Sequence, residues 1–381
     1  MKIAVDSWTL ASRFRCQGTY VYAQNLIREF KKLGSSGVRF SLFSSERNGN
    51  DAARIAPVEN FSLHASRLLD HDRLWRFGGA GMSAARLHAN VMFLPTAATL
   101  PVGPVPVVCT IHDLTPFTMP SHSKKVSTIQ RLLMKGCARF SRAIITSSEC
   151  SKRDIVTLLR VPEEKIAVIH DGCDATFFNT EPVDAGALAS LRSRMGIEKP
   201  YLLHHGTIQP RKNLKRLIES FRMMLALDRS LDFDLVLAGQ SGWGSQEIMD
   251  AAKYGKGKGR VIFTGILPDA DLALLIKGSS LAVVPSLYEG FSLPMVEAMA
   301  CGVPTVASRT SCLPEISGNA LAYFDPLSIE EMALCMRSVL HDPQLGQRLR
   351  QNGIERAQEF TWERCAKKTL EVLITAGAGR A

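Results

Sequence analysis

No stretch of this 381-residue chain approaches the roughly 18 consecutive apolar residues of a membrane-spanning helix, so no segment is expected to cross a bilayer. The opening residues, Met1-Lys2-Ile3-Ala4-Val5-Asp6, reach an acid at the sixth position and lack the apolar centre of a secretory leader. No C-x-x-C pair occurs among the nine cysteines, which are scattered as Cys16, Cys109, Cys137, Cys150, Cys173, Cys301, Cys312, Cys335 and Cys365. An odd, scattered set in a chain of this size reads as reduced, mostly buried thiols in a cytosolic protein. Acidic residues are in deficit, 36 against 46 Lys and Arg, which leaves a formal net charge of +10. Such a surplus fits nucleic acid, an anionic membrane surface or phosphorylated ligands. The absence of a nucleic-acid-binding motif or a basic run of five or more weakens the first. Catalytic signatures are missing too: no H-E-x-x-H, Walker A, zinc ligand set or G-x-S-x-G elbow is present. No G-x-G-x-x-G follows the first strand candidate, which disfavours a dinucleotide-dependent dehydrogenase.

What is there is globular: 46% hydrophobic and 22% charged residues, and enough length for two domains. Short β-branched runs alternate with helical patterns from end to end, with no other internal repeat, which predicts an α/β protein with parallel sheets and crossover helices. In the first half the strand candidates are Lys2–Asp6, Val38–Phe43, Val91–Leu94, Val105–Ile111, Ala143–Ser147 and Ile166–Ile169. In the second they are Tyr201–His205, Leu235–Ala238, Val261–Thr264, Leu281–Val284 and Thr305–Ala307. The irregular text from about Gly172 to Pro200 is the expected linker. Gly255–Gly259 reads as a surface loop and Arg47–Asn50 as a turn. In open sheets of this kind ligands bind beyond the carboxyl ends of the strands, so functional loops are expected to follow strands.

The most informative loop reads Glu289-Gly290-Phe291-Ser292-Leu293-Pro294-Met295-Val296-Glu297. The strand-like run Leu281–Pro285 precedes it. A helix is expected to open at Pro294 and stop before Gly302, because proline fits a first helical turn and glycine a C-terminal cap. That puts Glu289 in the strand-to-helix loop and Glu297 in the first helical turn. Backbone N–H groups of residues 291–295 then sit at a helix N-terminus, where an anion or an electron-rich hydroxyl can be held. A carboxylate at Glu297 suits a ribose diol, since it accepts two hydroxyl protons side by side. Two glutamates at a fixed spacing are by themselves an ordinary solvated loop. The glycine, aromatic and proline between them, and the strand and helix on either side, set this loop apart.

Other constellations also follow strand candidates. Gly18, at the end of Arg13-Phe14-Arg15-Cys16-Gln17-Gly18 and the start of a helix, lets backbone N–H groups approach a phosphate, and is equally compatible with a plain turn. His112 and Asp113 end the buried run Val107–Ile111; such a histidine is either structural or functional, and Asp113 either fixes its tautomer or caps the next segment. Gly206-Thr207-Ile208-Gln209-Pro210-Arg211-Lys212 offers two adjacent cations suited to a diphosphate. Asp232-Phe233-Asp234 mimics a metal-binding D-x-D but enters a strand rather than leaving one, and is set aside. Basic residues cluster as Arg67, Arg73, Arg76 and Arg86, then Lys124, Lys125, Arg131, Lys135, Arg139 and Arg142, interleaved with Leu68, Leu69, Trp75, Leu132, Leu133, Met134 and Phe140. That pattern is either a solvated face or one attracted to acidic lipid headgroups or a lipid diphosphate.

The segment Pro285–Pro304 (PSLYEGFSLPMVEAMACGVP) resembles the signature of family 4 retaining glycosyltransferases, which have the GT-B architecture of two Rossmann-like, doubly wound domains facing across a crevice. Members usually carry glycine where this chain has Ser292, a departure that would tighten a sugar pocket. The likeness runs along nearly the whole chain, strongest over 200–326 and weakest over the acceptor-binding stretch 45–90. It implies an N-terminal acceptor-binding domain (1–175), a donor-binding domain (176–358) and a C-terminal helix (359–381), opened by Phe360-Thr361-Trp362-Glu363, that crosses back. By resemblance His112 sits beside the donor sugar, Arg211 and Lys212 hold the diphosphate, and Glu289 with the amides of Phe291, Ser292 and Leu293 holds sugar hydroxyls. Glu297 holds the ribose, Gly18 faces the donor diphosphate, Gly206 belongs to the donor-binding set, and the backbone at Ile266 reads the base. No metal and no cofactor are implied; transfer proceeds with retention. Ile111-His112-Asp113-Leu114 with Pro120, and Ser311-Cys312-Leu313-Pro314-Glu315, most resemble the mannosyltransferase branch of bacterial surface polysaccharide synthesis. The implied donor is GDP-mannose or GDP-rhamnose, the acceptor a lipid-diphosphate-linked glycan or oligosaccharide, and the location cytoplasmic, peripheral to the inner membrane face. A non-catalytic sugar-nucleotide binding module, a nucleotide-sugar epimerase and a phosphorylase on the same fold are the competing readings.

Overall fold

The computed structural model describes residues 1–10, 18–33, 37–44, 60–119, 124–254 and 257–379. Arg13 to Gln17, the Arg47–Asn50 turn, Pro120, and Gly255 with Lys256 lie outside that set, as do the side chains of Leu69, Lys124 and Lys125. The chain divides into two compact units, Met1–Gly172 with Trp362–Ala381, and Cys173–Thr361.

The first unit is built on β1 (Lys2–Val5), β2 (Arg39–Ser44), β3 (Phe61–Ala65), β4 (Val91–Leu94), β5 (Val107–Thr110), β6 (Ala143–Thr146) and β7 (Ile166–Val168). Among the described residues these form one parallel sheet in the order β3-β2-β1-β4-β5-β6-β7. Helices cover both faces of a parallel sheet, so its central strands read as unbroken apolar runs; β4 and β5 are buried at every residue. The last helix, Trp362–Ala378, packs into this unit through Trp362, Cys365, Ala366, Leu370 and Leu373. Gly377 lets it lie close, since a Cβ there would fall 2.2 Å from the Met1 side chain.

At the carboxyl end of β1, buried Asp6 accepts hydrogen bonds from the Trp8 amide (2.9 Å), Trp75 Nε1 (2.8 Å) and Thr99 Oγ1 (2.8 Å). This corrects the expectation that Trp75 belongs to a basic and apolar surface. Its indole is fully buried, and Leu68 and Met134 pack against the same core. The apolar side chains that do face outward there are Leu74, Phe77 and Met82, and, along helix Lys124–Phe140, Val126, Ile129, Leu132 and Phe140.

The second unit holds β8 (Tyr201–His205), β9 (Asp234–Ala238), β10 (Val261–Gly265), β11 (Leu281–Val284), β12 (Thr305–Ser308) and β13 (Ala322–Phe324). They are parallel, in the order β10-β9-β8-β11-β12-β13 among the described residues. Strand order reverses between β8 and β11, and between β1 and β4 in the first sheet. These are the switch points where adjacent loops diverge and leave a crevice at the carboxyl edge. Asp234 opens β9 at the opposite edge, where its buried carboxylate takes two bonds from Arg260, so the D-x-D lookalike is a structural ion pair.

Eleven of the thirteen strands among the described residues lie within two residues of their sequence candidates; β3 and β13 went unread. Both are sheet edges, and β3 exposes Ser62 and Leu63 while β13 has three residues, so neither carries the buried apolar run that marks a central strand. Cys109, Cys137, Cys301, Cys312 and Cys365 are buried thiols, and no disulfide forms among the described residues. No described helix is long and apolar enough to cross a membrane.

Candidate active site

The switch point of the second sheet gathers charge. After β8 the chain passes Gly206, whose φ of +132° only glycine adopts easily. A Cβ there would lie 3.7 Å from Lys212 Nζ and 3.7 Å from Pro294 Cγ, so Gly206 sits where the lysine and the start of helix Leu293–Ala300 converge. A single tight turn, Pro210–Lys212, aims both cations back across the sheet toward the loop after β11. There Arg211 donates to Glu289 Oε2 (2.6 Å) and Lys212 to Glu289 Oε1 (2.6 Å). Arg211 also donates to the Tyr288 carbonyl, while its own carbonyl accepts the Leu287 amide at 2.9 Å. From the next loop, Ser311 Oγ donates to the Glu289 carbonyl (2.6 Å) and accepts its amide (3.1 Å).

Glu289 is therefore gripped from both sides. Burial alone would raise its pKa, but the Arg211 and Lys212 charges outweigh burial and hold the carboxyl well below the usual carboxylate range. The sequence assigned this carboxylate to a sugar; in the structure each oxygen already accepts one cationic donor. A carboxylate oxygen has a second lone pair, so Glu289 can still accept a ligand hydroxyl. The trio carries one net positive charge.

Two histidines that the sequence reading missed complete the floor. His204 Nδ1 donates to the Val283 carbonyl (2.9 Å), leaving Nε2 as a buried acceptor. Burial, then the nearby Lys212 charge, pushes its pKa down to about 3, so it stays neutral beside the cation pair. His205 Nε2 lies 2.9 Å from Glu297 Oε2. The helix carrying Glu297 begins at Leu293, one residue earlier than expected, so Glu297 stands in its second turn rather than its first. Ser292 caps this helix in the left-handed region (φ 75°, ψ 72°); its carbonyl accepts the Met295 amide at 3.0 Å, but its side chain bonds none of the helix amides. Phe291 is buried edge-on against Phe360, 5.4 Å between ring centres. Ile266 follows Gly265 at the end of edge strand β10 and is exposed.

In the first unit His112 lies just beyond β5. Its Nε2 donates to the Pro95 carbonyl (3.0 Å), which fixes the tautomer and leaves Nδ1 as an acceptor. Burial lowers its pKa, so this ring too is neutral. Tyr22 meets it edge-on at 4.6 Å and is held by Thr110 Oγ1 at 3.1 Å. Asp113 takes the capping alternative, accepting the Thr115 amide at 2.9 Å. Gly18 opens helix Gly18–Leu33, with no atom of the described residues within 4 Å of where a side chain would start.

Two parallel sheets with loops of this kind belong to the GT-B class of fold. Solved structures agree: sucrose-phosphate synthase from Thermosynechococcus elongatus matches with a TM-score of 0.76 at 19% identity over 100% of both chains. Anabaena Alr3699/HepE in complex with UDP-glucose matches at 0.74 and 18% identity, over 98% of this chain and 100% of that one. The family model for group 1 glycosyl transferases matches residues 192–356, and that for glycosyltransferase family 4 matches residues 17–177. O-antigen chain mannosyltransferase B of Escherichia coli is 30% identical over 69% of this chain and 68% of its own length. Serotype-specific mannosyltransferase WbdA of Escherichia coli is 28% identical over 72% of this chain but only 34% of its own length. The chain belongs to the group 1, family 4 glycosyltransferases.

The neutral His204 gives a signed pH prediction. Its folded pKa lies below its ordinary 6.5, so its contribution to stability is complete above that value and is lost as pH falls toward about 3. One such group changes stability by up to about 1.4 kcal/mol per pH unit. Melting temperatures of the wild type are expected to drop steadily from pH 6.5 to 5, and His204→Asn to flatten that decline. His112 contributes in the same direction, so the decline shrinks rather than vanishes. An unaltered slope in His204→Asn would show that the ring is not held neutral by its site.

Proposed function

We propose that this glycosyltransferase moves a hexose, with retention, from a nucleotide-diphosphate sugar to a lipid-linked glycan during O-antigen or related surface polysaccharide synthesis. The single observation carrying the donor half is the Arg211–Glu289–Lys212 trio beside a helix N-terminus at the β8/β11 switch point. The mannosyltransferase relatives support mannose as the sugar; a derivative such as rhamnose, and GDP as the carrier, rest on the family resemblance alone.

As the bond from the anomeric carbon to the phosphate oxygen breaks, its electron pair leaves with the diphosphate. Arg211 and Lys212 meet that growing charge, the helix N-terminus adds its dipole, and no metal is required. An oxocarbenium-like ion pair forms, and the acceptor hydroxyl attacks from the face the diphosphate left, passing its proton to a diphosphate oxygen. Glu289 and the amides of Phe291 to Leu293 hold sugar hydroxyls, Glu297 the ribose, and the Ile266 backbone the base. Gly206 leaves room for the diphosphate next to Lys212, and Gly18 supplies a further phosphate-facing turn. His112, neutral and with Nδ1 open, acts on the donor sugar.

Isothermal titration against GDP, UDP, ADP and dTDP tests the donor. GDP is expected to bind tightest, and Glu297→Ala to weaken nucleotide and sugar nucleotide alike by roughly 1.5–3 kcal/mol. Transfer is expected to persist in excess EDTA. Preference for another base would replace the carrier, and activity lost to EDTA and restored by manganese would refute metal independence.

The acceptor half rests on the first unit. Helix Lys124–Phe140 turns Val126, Ile129, Leu132 and Phe140 outward together with exposed Arg131, Lys135 and Arg139. A mixed basic and apolar face suits anionic headgroups and a lipid diphosphate, at about 1 kcal/mol per basic residue near the surface. Co-sedimentation with phosphatidylglycerol vesicles is expected at low salt and to fade at high salt. No binding at low salt, with a soluble acceptor used at full rate, would remove the membrane from this account.

A further inference from the structure

Ser292 departs from ordinary protein structure in several ways at once. Its backbone is left-handed (φ 75°), a region that strains a residue with a Cβ and that glycine adopts freely. The residue is 5% exposed, and its Oγ is buried with no hydrogen-bond partner among the described residues. It stands at the N-cap of helix Leu293–Ala300, where a serine normally bonds the amides of the first turn, yet it makes no such bond. Glycine would remove the strain and the stranded hydroxyl together. A buried, unsatisfied hydroxyl on a strained backbone at a helix N-terminus is the pattern of a group held ready for a ligand.

The groups gathered at the same switch point narrow the ligand. Helix amides, Arg211 and Lys212 are all donors, well matched to phosphate oxygens. Glu289 spends one lone pair of each oxygen on the cations. A hydroxyl adds what the donors lack, a group that both gives and accepts, which is what a sugar hydroxyl requires of its partner. We propose that Ser292 Oγ hydrogen-bonds a hydroxyl of the transferred sugar and is a specificity-determining residue for the donor. This rests on the donor reading above.

Two variants separate the hydroxyl from the strain. Ser292→Gly loses both, and is expected to raise the melting temperature. Ser292→Ala loses only the hydroxyl. Both are expected to bind GDP as the wild type does and GDP-mannose about tenfold more weakly, the factor of one ordinary neutral hydrogen bond. Unchanged GDP-mannose binding in both variants overturns the proposal. Equal weakening of GDP and GDP-mannose overturns it as well, because the contact is then to phosphate. A wild-type protein that binds GDP but gains nothing from the sugar refutes it too. One that binds no nucleotide refutes the donor reading itself, an outcome visible before either variant is made.

Discussion

The second unit depends on one carboxylate shared between two cations. Glu289 reaches across the switch point to Arg211 and Lys212, and all three side chains are largely withdrawn from water. Desolvating three charges is costly, and the mutual attraction offsets that cost only while every member is present. Removing one would strand another, so the loops after β8 and β11 are locked in one arrangement. Ser311 adds a pair of hydrogen bonds to the Glu289 backbone from the loop after β12. Three consecutive loops at the carboxyl edge are thus fixed by one residue.

The same constraint explains the neutral histidine. A charged imidazole at His204 would add a third cation beside Arg211 and Lys212; burial and Lys212 keep it uncharged, with Nδ1 tied to Val283. The trio then presents one net positive charge on largely buried, mutually fixed side chains. Such charge is worth far more than in water, and on the proposed mechanism it would already be in position when the leaving group becomes anionic. His112 in the first unit follows the same logic, kept neutral by burial with its tautomer set by the Pro95 carbonyl.

Legibility in the sequence followed the range of the interactions. The loop from Glu289 to Glu297 was readable because strand, proline, glycine and helix signals are local. Central strands were readable because parallel sheets bury them on both faces, and edge strands β3 and β13 were not, because their patterns are weak and short. The partner of Glu289 was not legible: 77 and 78 residues separate it from Lys212 and Arg211, and only the crossing of β8 and β11 brings them together. His205 went unread for the same reason, since Glu297 lies 92 residues away. Trp75 was misread as a surface residue because its partner, Asp6, stands 69 residues earlier. The left-handed backbone of Ser292 gave no signal beyond its standing where the resembled signature usually has glycine.

The central claim is that Arg211 and Lys212, held by Glu289, stabilise the departing diphosphate. Steady-state kinetics of Arg211→Ala and Lys212→Ala, with donor affinity measured separately by titration, tests it most directly. The account predicts that kcat falls roughly 100-fold or more, the loss typical of removing one charge-stabilising donor. Donor affinity should change by about tenfold or less, because the charge they meet grows only in the transition state. Variants that turn over at the wild-type rate, or that lose only affinity, would contradict it.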